Sequence, residues 1–173
     1  TFLNEGDTVL VHAPTFDMYE VGASLLGAKV AKVQDLPGFR RDREGLLAAI
    51  RTLRPKLTFL CNPNNPTGEL LPASFIEECL RAADNLVFVD EAYMEFAQAE
   101  SVLSLVGKYP NLIVLRTLSK AFGLAGLRCG YLAADRDLIA EIAKVKNPYN
   151  LNSLTQAFAA AGPPHPGGGV PAA

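Results

Sequence analysis

Residue types that commonly build metal sites and disulfide frameworks are scarce in this sequence. Its 173 residues include two histidines (His12 and His165) and three cysteines (Cys61, Cys79 and Cys129). The cysteines are odd in number, lie far apart and form no CxxC pair, so we expect neither a disulfide framework nor a metal site. Free and mostly buried thiols are typical of a reducing compartment, and we therefore expect a cytoplasmic protein.

The sequence also lacks an excess of charge and lacks long apolar runs. Sixteen basic and eighteen acidic residues give a formal net charge of −2, and no basic stripe indicates a nucleic-acid surface. No apolar run approaches the length that crosses a bilayer, and the opening "TFLNEGDTVLV" is unlike a signal peptide. We therefore expect neither nucleic acid nor membrane as a partner.

What is present is an ordinary globular composition followed by an unusual end. Apolar residues make up 49% of the chain, and its length suffices for one domain with a substantial core. Segment 162–173, "GPPHPGGGVPAA", is dominated by glycine and proline, and this composition predicts disorder. Because the chain also begins with Thr1, we expect a fragment in which residues 1–161 form a partial domain.

Short apolar segments rich in β-branched residues alternate with amphipathic segments along the chain. We predict strands at 8–12, 29–33, 57–61, 86–89, 112–115 and 129–133. We predict helices at 19–26, 45–53, 72–83 and 136–146. This alternation favours an α/β fold with three α/β/α layers, in which helices cover both faces of a mostly parallel sheet.

Polar and aromatic side chains follow four of the predicted strands. The segments after these strands read "APTFDMY", "NPNNPTG", "DEAY" and "TLSK". In open α/β sheets, ligands bind outside the carboxyl ends of the strands. We therefore predict one site that is built from these four segments.

Lys120 is the reactive candidate in "TLSK". Burial near a strand end would disfavour its ammonium form, and a neutral amine can form a Schiff base with a carbonyl such as that of pyridoxal phosphate. Nearby, Thr117, Ser119 and Arg128 offer hydroxyl and guanidinium donors that suit a phosphate. The alternatives are an ordinary surface lysine and a solvated or helix-capping arginine.

Asp90 ends a predicted buried strand and therefore needs a partner for its charge. A protonated pyridine nitrogen is a suitable partner, because the carboxylate keeps the ring able to withdraw electrons. The alternatives are a helix N-cap or a structural salt bridge. Three residues on, Tyr93 could bond the phenolic oxygen of the same ring or simply pack, and we interpret Glu91 and Glu95 as solvated or structural.

Two further side chains could contact such a ring. Asn65 lies in the turn "NPNNPTG", where its amide could reach the phenolic oxygen, although this motif also serves as a turn alone. Phe16 could stack on a planar cofactor, and core filling is its alternative role.

Taken together, these motifs carry a family resemblance. "NPNNPTG", "DEAYMEF" and "TLSKAFGLAGLRCGY", in this order, resemble the large domain of the fold-type I, class I/II aminotransferases, which depend on pyridoxal phosphate (PLP). More narrowly, "APTFDMYEV", "RTLSKAFGLAGLRCGY" and "NPYNLNS" are similar to the histidinol-phosphate aminotransferase subfamily. The resemblance covers roughly residues 1–161.

The resemblance implies a role for each candidate residue. Lys120 would hold PLP in a Schiff base and act as the catalytic base, with Asp90 and Tyr93 as its catalytic partners. The implied cofactor contacts are Phe16 on the ring, Asn65 and Tyr93 at the phenolic oxygen, Asp90 at the pyridine nitrogen, and Thr117, Ser119 and Arg128 at the phosphate.

The resemblance also implies a reaction. It is a transamination between an amino substrate, with histidinol phosphate first among the candidates, and 2-oxoglutarate in histidine biosynthesis by a homodimer. Family segments that precede and follow this stretch contribute to the site, so we expect this chain alone to be weak or inactive.

Other readings of the same residues remain open. An aromatic amino acid aminotransferase or a phospho-amino-acid decarboxylase would use the same pocket, and a non-catalytic PLP-binding regulatory module would share the fold. A generic nucleotide-binding domain is disfavoured, because no GxGxxG or GxxxxGK[ST] motif follows a strand.

Overall fold

The computed structural model describes residues 1–161, and the predicted disordered segment 162–173 lies outside the described residues. The strands are β1 (Thr8–Ala13), β2 (Lys29–Gln34), β3 (Leu57–Cys61), β4 (Leu86–Asp90), β5 (Leu112–Thr117) and β6 (Gly130–Ala134). The helices are α1 (Met18–Leu25), α2 (Arg43–Leu53), α3 (Ala73–Ala82), α4 (Arg136–Val145) and α5 (Ser153–Ala161). All six predicted strands and four predicted helices are found, and α5 was not predicted.

The strands form one sheet in the order β2-β1-β3-β4-β5-β6. The first five pair in parallel, and β6 pairs antiparallel with β5. The link from β5 to β6 contains only a short 3₁₀ helix (Ala125–Leu127), so no crossover helix returns the chain to the other end of the sheet. The prediction of a mostly parallel α/β sheet is confirmed.

Side-chain alternation along the strands gives the sheet two apolar faces. Leu60, Val89 and Val114 belong to the larger core, which also contains the buried faces of α2 and α3. The opposite face carries Val11 and Cys61, which pack with Tyr19 and Ala23 of α1. On this second face, Ile142 of α4 borders a cleft with Phe88 and Ile113. Helices therefore cover both faces, as the three-layer prediction requires.

Local signals account for where α2 and α3 begin. The side chain of Asp42 accepts a hydrogen bond from the Gly45 amide at 2.8 Å, which caps the amino end of α2. Pro72 immediately precedes α3, where its fixed φ suits a helix start and its missing N–H costs nothing. No helix within residues 1–161 has both the length and the apolar character to cross a bilayer.

A buried polar cluster lies at the carboxyl end of β1. His12 is 1% exposed, and its Nδ1 accepts a hydrogen bond from the guanidinium of Arg41. Arg41 also donates to both carboxylate oxygens of Asp35, at 3.0 and 3.2 Å. Burial, helped by the positive charge of Arg41, lowers the pKa of His12 to about 3. His12 is therefore neutral in the folded protein at physiological pH.

We expect His12 to make the protein less stable as the pH falls. Unfolded chains bind a proton on histidine near pH 6.5, whereas the folded chain binds it on His12 only near pH 3. Proton binding therefore favours the unfolded state, at a cost of about 3 kcal/mol between pH 6.5 and pH 4. Urea unfolding across this range measures the slope.

His12→Gln provides the comparison, because its amide oxygen can still accept a hydrogen bond from Arg41. The variant should lose the part of the slope that His12 causes and keep the part that carboxylates cause. Equal slopes for the two proteins would contradict a buried neutral His12.

Candidate active site

The carboxyl ends of the central strands place polar side chains on the sheet face that α1 covers. Cys61 at the end of β3 is aligned with Asp90 at the end of β4, and Asp90 is aligned with Leu115 of β5. Alternation sends Cys61, Asp90 and Thr117 to the same face as Val11 and Phe88. The loop after β1 and the first turn of α1 contribute Phe16 and Tyr19 to the pocket on this face.

One pocket collects most of the candidate residues. It is lined by Phe16, Tyr19, Cys61, Asn65, Asp90, Ala92, Tyr93 and Lys120. Five of the eight predicted site residues are therefore brought together, and they come from the segments after four different strands. The strand-end prediction of a single site agrees with this arrangement.

Asp90 is a buried carboxylate that has hydrogen-bond donors but no cationic partner within residues 1–161. Its side chain is largely covered, Oδ2 accepts from the hydroxyl of Tyr19 at 2.6 Å, and Oδ1 accepts from the Ala92 amide at 3.0 Å. The salt-bridge alternative is therefore not what the structure shows for this residue. A buried charge that faces a pocket without a counterion suits a cationic ligand group such as a protonated pyridine nitrogen.

Lys120 reaches the same pocket from the loop that follows β5. Its Nζ lies 5.1 Å from the centre of the Tyr93 ring, which is within the range of a cation–π contact. The expected burial of Lys120 is not found within residues 1–161, because the side chain is exposed. The reason is that Lys120 lies beyond the end of β5, where the described elements no longer cover it.

Two neighbouring asparagines hold the loop that presents Asn65. The Asn62 side chain exchanges hydrogen bonds with the backbone of Leu71, at 2.7 and 3.1 Å. The Asn64 amide donates to the carbonyl of Pro14 at 3.0 Å and so ties this loop to the one after β1. The side-chain amide of Asn65 makes no hydrogen bond within residues 1–161, which leaves it available in the pocket.

Phe16 and Tyr19 form the aromatic wall of the pocket. The Phe16 ring meets the Tyr19 ring edge-on, with centroids 5.6 Å apart, and Tyr19 stacks on Phe59 at 4.6 Å. Phe16 is 40% exposed, so the core-filling alternative is not what the structure shows. Its ring remains accessible to a planar ligand.

The three residues predicted to bind the phosphate, Thr117, Ser119 and Arg128, do not line this pocket. The Thr117 hydroxyl donates to the Cys129 carbonyl at 3.2 Å and accepts from the Ser119 amide at 3.1 Å. Arg128 is exposed and donates to the Ala125 carbonyl at 3.1 Å, which matches its helix-capping alternative. The three residues lie in one segment, 117–128, and none of them is among the residues that line the pocket with Lys120.

Besides Ala92, sequence reasoning missed two members of the pocket, Tyr19 and Cys61. Tyr19 was assigned only to a helix, and Cys61 was interpreted only as a buried free thiol. The spacing "TFDMY" was an available signal, because a helical first turn places Tyr19 beside Phe16. For Cys61, the signal was its position at the end of a strand next to the one that ends in Asp90. Burial raises the pKa of this thiol, and its Sγ lies 3.5 Å from the Pro63 carbonyl.

An ion-pair network supports the site from the opposite face of the sheet. Glu91 is completely buried and accepts from Arg116 at 2.7 Å, from the Ser101 hydroxyl at 2.6 Å and from the Val102 amide at 2.8 Å. Arg116 also pairs with Glu95 at 2.8 Å. The structural interpretation of the two glutamates is confirmed. The network joins the end of β4, which carries Asp90, to the end of β5, which leads to Lys120.

Across residues 1–161, no cluster of His, Cys, Asp and Glu side chains has the arrangement that a metal ion needs. The functional groups that line the pocket are the Lys120 amine, the Asp90 carboxylate, the Asn65 amide, the Cys61 thiol and the hydroxyls of Tyr19 and Tyr93. A carboxylate and an amine around an accessible aromatic face form a donor set that suits PLP.

We expect Arg116→Met to lower the free energy of unfolding by about 3–5 kcal/mol, because it leaves the Glu91 carboxylate buried without its counterion. Arg54→Met is the matched control, since the pair of Arg54 with Asp84 has side chains that are 69% and 56% exposed. The control should cost less than about 1 kcal/mol. Urea unfolding measures both, and equal losses would contradict the supporting role of the network.

Comparisons with known proteins show the family to which the chain belongs. The family model described as aminotransferase class I and II matches residues 1–163. Histidinol-phosphate aminotransferase from Thermoanaerobacter pseudethanolicus is 43% identical over 158 residues, which are 91% of this chain and 45% of that protein. The chain thus spans less than half the length of this relative.

Solved structures show the same fold. Histidinol-phosphate aminotransferase from Sinorhizobium meliloti, in complex with pyridoxal-5'-phosphate, superposes with a TM-score of 0.83 at 30% identity, covering 90% of this chain and 43% of that one. L-threonine-O-3-phosphate decarboxylase from Porphyromonas gingivalis superposes with a TM-score of 0.75 at 26% identity, covering 87% of this chain and 47% of that one.

Proposed function

Because the chain belongs to the class I and II aminotransferase family, we propose that the whole protein is an aminotransferase that uses PLP as its cofactor. The observation that carries this proposal is the pocket in which the Asp90 carboxylate, buried without a cation within residues 1–161, faces the same space as Lys120. When bound there, PLP supplies a ring that withdraws electrons from the carbon bearing the substrate's amino group.

Each pocket residue has a role in this proposal. Asp90 holds the proton on the pyridine nitrogen, and its two donors keep the carboxylate in place for that contact. Lys120 anchors the cofactor through its amine and, once released, takes the proton from the carbon that bears the substrate's amino group. Asn65 and Tyr93 bond the phenolic oxygen of the ring, and Phe16 covers its face.

The proposed donors for the phosphate of PLP lie in one segment, 117–128. Thr117, Ser119 and Arg128 are the proposed phosphate donors, and the one side-chain hydrogen bond of Arg128 within residues 1–161 goes to the Ala125 carbonyl. Its exposed guanidinium could exchange that carbonyl for a phosphate oxygen, since a charge-assisted hydrogen bond is the stronger of the two.

The proposed amino substrate is histidinol phosphate, with 2-oxoglutarate as the amino acceptor, which assigns the protein to histidine biosynthesis. Support comes from the relative of that name, which is 43% identical. We propose a homodimer in the cytoplasm, where the free thiols of Cys61, Cys79 and Cys129 would stay reduced. Residues 1–173 alone should be weak or inactive, because they match 45% of that relative.

A phospho-amino-acid decarboxylase is the second candidate. It is favoured by the similarity to L-threonine-O-3-phosphate decarboxylase, whose fold overlaps this chain with a TM-score of 0.75. The residues described above suit either reaction, because both begin with the same amine and the same protonated ring.

Lys120→Ala tests the cofactor assignment in the whole protein. The wild type should show a visible absorption band, and borohydride should fix the cofactor on the peptide that contains Lys120. Lys120→Ala should lose the band and the modified peptide. Lys108→Ala, which removes another exposed lysine, should keep both. Cofactor fixed on a different lysine would refute the assignment.

Product analysis tests the substrate. The purified whole protein is given histidinol phosphate, phenylalanine or threonine O-3-phosphate, each with 2-oxoglutarate. We expect kcat/KM for histidinol phosphate to exceed that for phenylalanine by at least roughly 100-fold, because polar groups that bind a phosphate are left unpaired by a substrate without one. Release of carbon dioxide from threonine O-3-phosphate would favour the decarboxylase, and preference for phenylalanine an aromatic aminotransferase. Absence of turnover with a bound cofactor would favour a regulatory module.

A further inference from the structure

We propose that Tyr19 is a positioning residue, whose hydroxyl orients the Asp90 carboxylate and shares its negative charge. Tyr19 would thereby set how strongly Asp90 holds the proton on the ring nitrogen of the cofactor. This inference rests on the proposed function, because it takes Asp90 to be the partner of that nitrogen.

The contact between the two residues is short and comes from a separate element. The Tyr19 hydroxyl, in the first turn of α1, donates to Oδ2 of Asp90 at 2.6 Å. The only other hydrogen bond to this carboxylate within residues 1–161 comes from the Ala92 amide, two residues along the chain. An O–H donor at this distance from a carboxylate forms a strong, charge-assisted hydrogen bond. Tyr19 therefore decides the orientation of Oδ2.

The Asp90 carboxylate can accept a further hydrogen bond besides those from Tyr19 and Ala92. A carboxylate has about four acceptor positions, and Tyr19 and Ala92 occupy one on each oxygen of Asp90. Both residues also line the pocket that Lys120 reaches. A ring nitrogen in this pocket would therefore meet a carboxylate whose rotation is already restricted and whose charge is already shared.

The packing of Tyr19 holds its hydroxyl in place. Its ring is 8% exposed, is stacked on Phe59 with an interplanar angle of 11° and is met edge-on by Phe16. Burial, together with neighbouring Cys61 and Asp90, raises the pKa of Tyr19 above its ordinary value. The phenol therefore keeps its proton at neutral pH and acts toward Asp90 as a donor only. The Tyr19 ring thus packs against Phe59 and Phe16, and its hydroxyl positions the Asp90 carboxylate.

Tyr19→Phe separates these two functions, because it keeps the stacked ring and removes only the hydroxyl. In the whole protein loaded with PLP, we expect kcat to fall about tenfold while KM changes less than about threefold, since an interaction with a charged group has been lost. More charge on Asp90 should also move the pH midpoint of the bound cofactor's visible absorbance upward, by up to about one unit. A purely structural role would not move this midpoint.

Tyr109→Phe is the matched control. The Tyr109 hydroxyl also donates to a carboxylate, that of Glu77 at 3.0 Å, but neither residue lines the pocket. This variant should keep the kcat and the absorbance midpoint of the wild type. The same changes in both variants would overturn the inference.

Combination with Asp90→Asn tests whether Tyr19 acts through Asp90. Asp90→Asn should lower kcat strongly, and adding Tyr19→Phe to it should cost little more, because the carboxylate that Tyr19 positions is gone. An undiminished tenfold loss in the double variant would overturn the inference. If Asp90→Asn itself turned over normally, the proposed role of Asp90 would fall as well. If Asp90→Asn were impaired but Tyr19→Phe were normal, only the inference about Tyr19 would fall.

A second substitution keeps the test decisive if Tyr19→Phe folds poorly. Replacement of Tyr19 by 3-fluorotyrosine preserves the ring and makes the hydroxyl a stronger donor. The absorbance midpoint should then move downward, opposite to the shift in Tyr19→Phe. An unchanged midpoint in the folded fluorotyrosine protein would overturn the inference.

Discussion

The alternation of side chains across the sheet at the end of β4 is the constraint on which the site depends. Asp90 and Glu91 are adjacent in the chain, so the pleat sends them to opposite faces. Glu91 enters the side of the larger core and is neutralised by Arg116 at 2.7 Å. Asp90 enters the side of α1, where it meets a phenol and an amide but no cation within residues 1–161. Two neighbouring carboxylates thus acquire different environments.

Because of this difference, Glu91 has a structural role, whereas Asp90 is free to contact a ligand. On the face of the larger core, the paired charges of Glu91 and Arg116 connect the ends of β4 and β5, and both side chains are largely buried. On the face that α1 covers, the charge of Asp90 remains available to a ligand, because its hydrogen-bond donors, the Tyr19 hydroxyl and the Ala92 amide, are neutral. The loops after β1 and β3 complete the pocket and are tied together by the hydrogen bond from Asn64 to Pro14. A ligand with a cationic ring nitrogen would supply the counterion that Asp90 lacks.

The sequence predictions succeeded where a feature depends on local patterns or on the fold class, and they failed where it depends on contacts between distant segments. Phe16, Asn65, Asp90, Tyr93 and Lys120 meet in one pocket because parallel strands bring their carboxyl ends to one edge, which is a regularity of the fold class. The expected desolvation of Lys120 was wrong, because burial depends on what covers a loop and no local pattern reports it. Packing likewise decides that the Thr117 hydroxyl and the Arg128 guanidinium donate to the backbone carbonyls of Cys129 and Ala125.

By itself, the sequence determined the α/β class, the six strands, four of the five described helices and the residue types at the strand ends. These features follow from hydrophobic periodicity and from short motifs, whose information is local. Only the tertiary structure decided that Tyr19 donates to Asp90, that Cys61 lies beside it and that Arg116 neutralises Glu91. The physical reason is that a hydrogen bond or an ion pair needs its two atoms within about 3 Å of each other, and for partners distant in the chain this separation is set by packing and strand register.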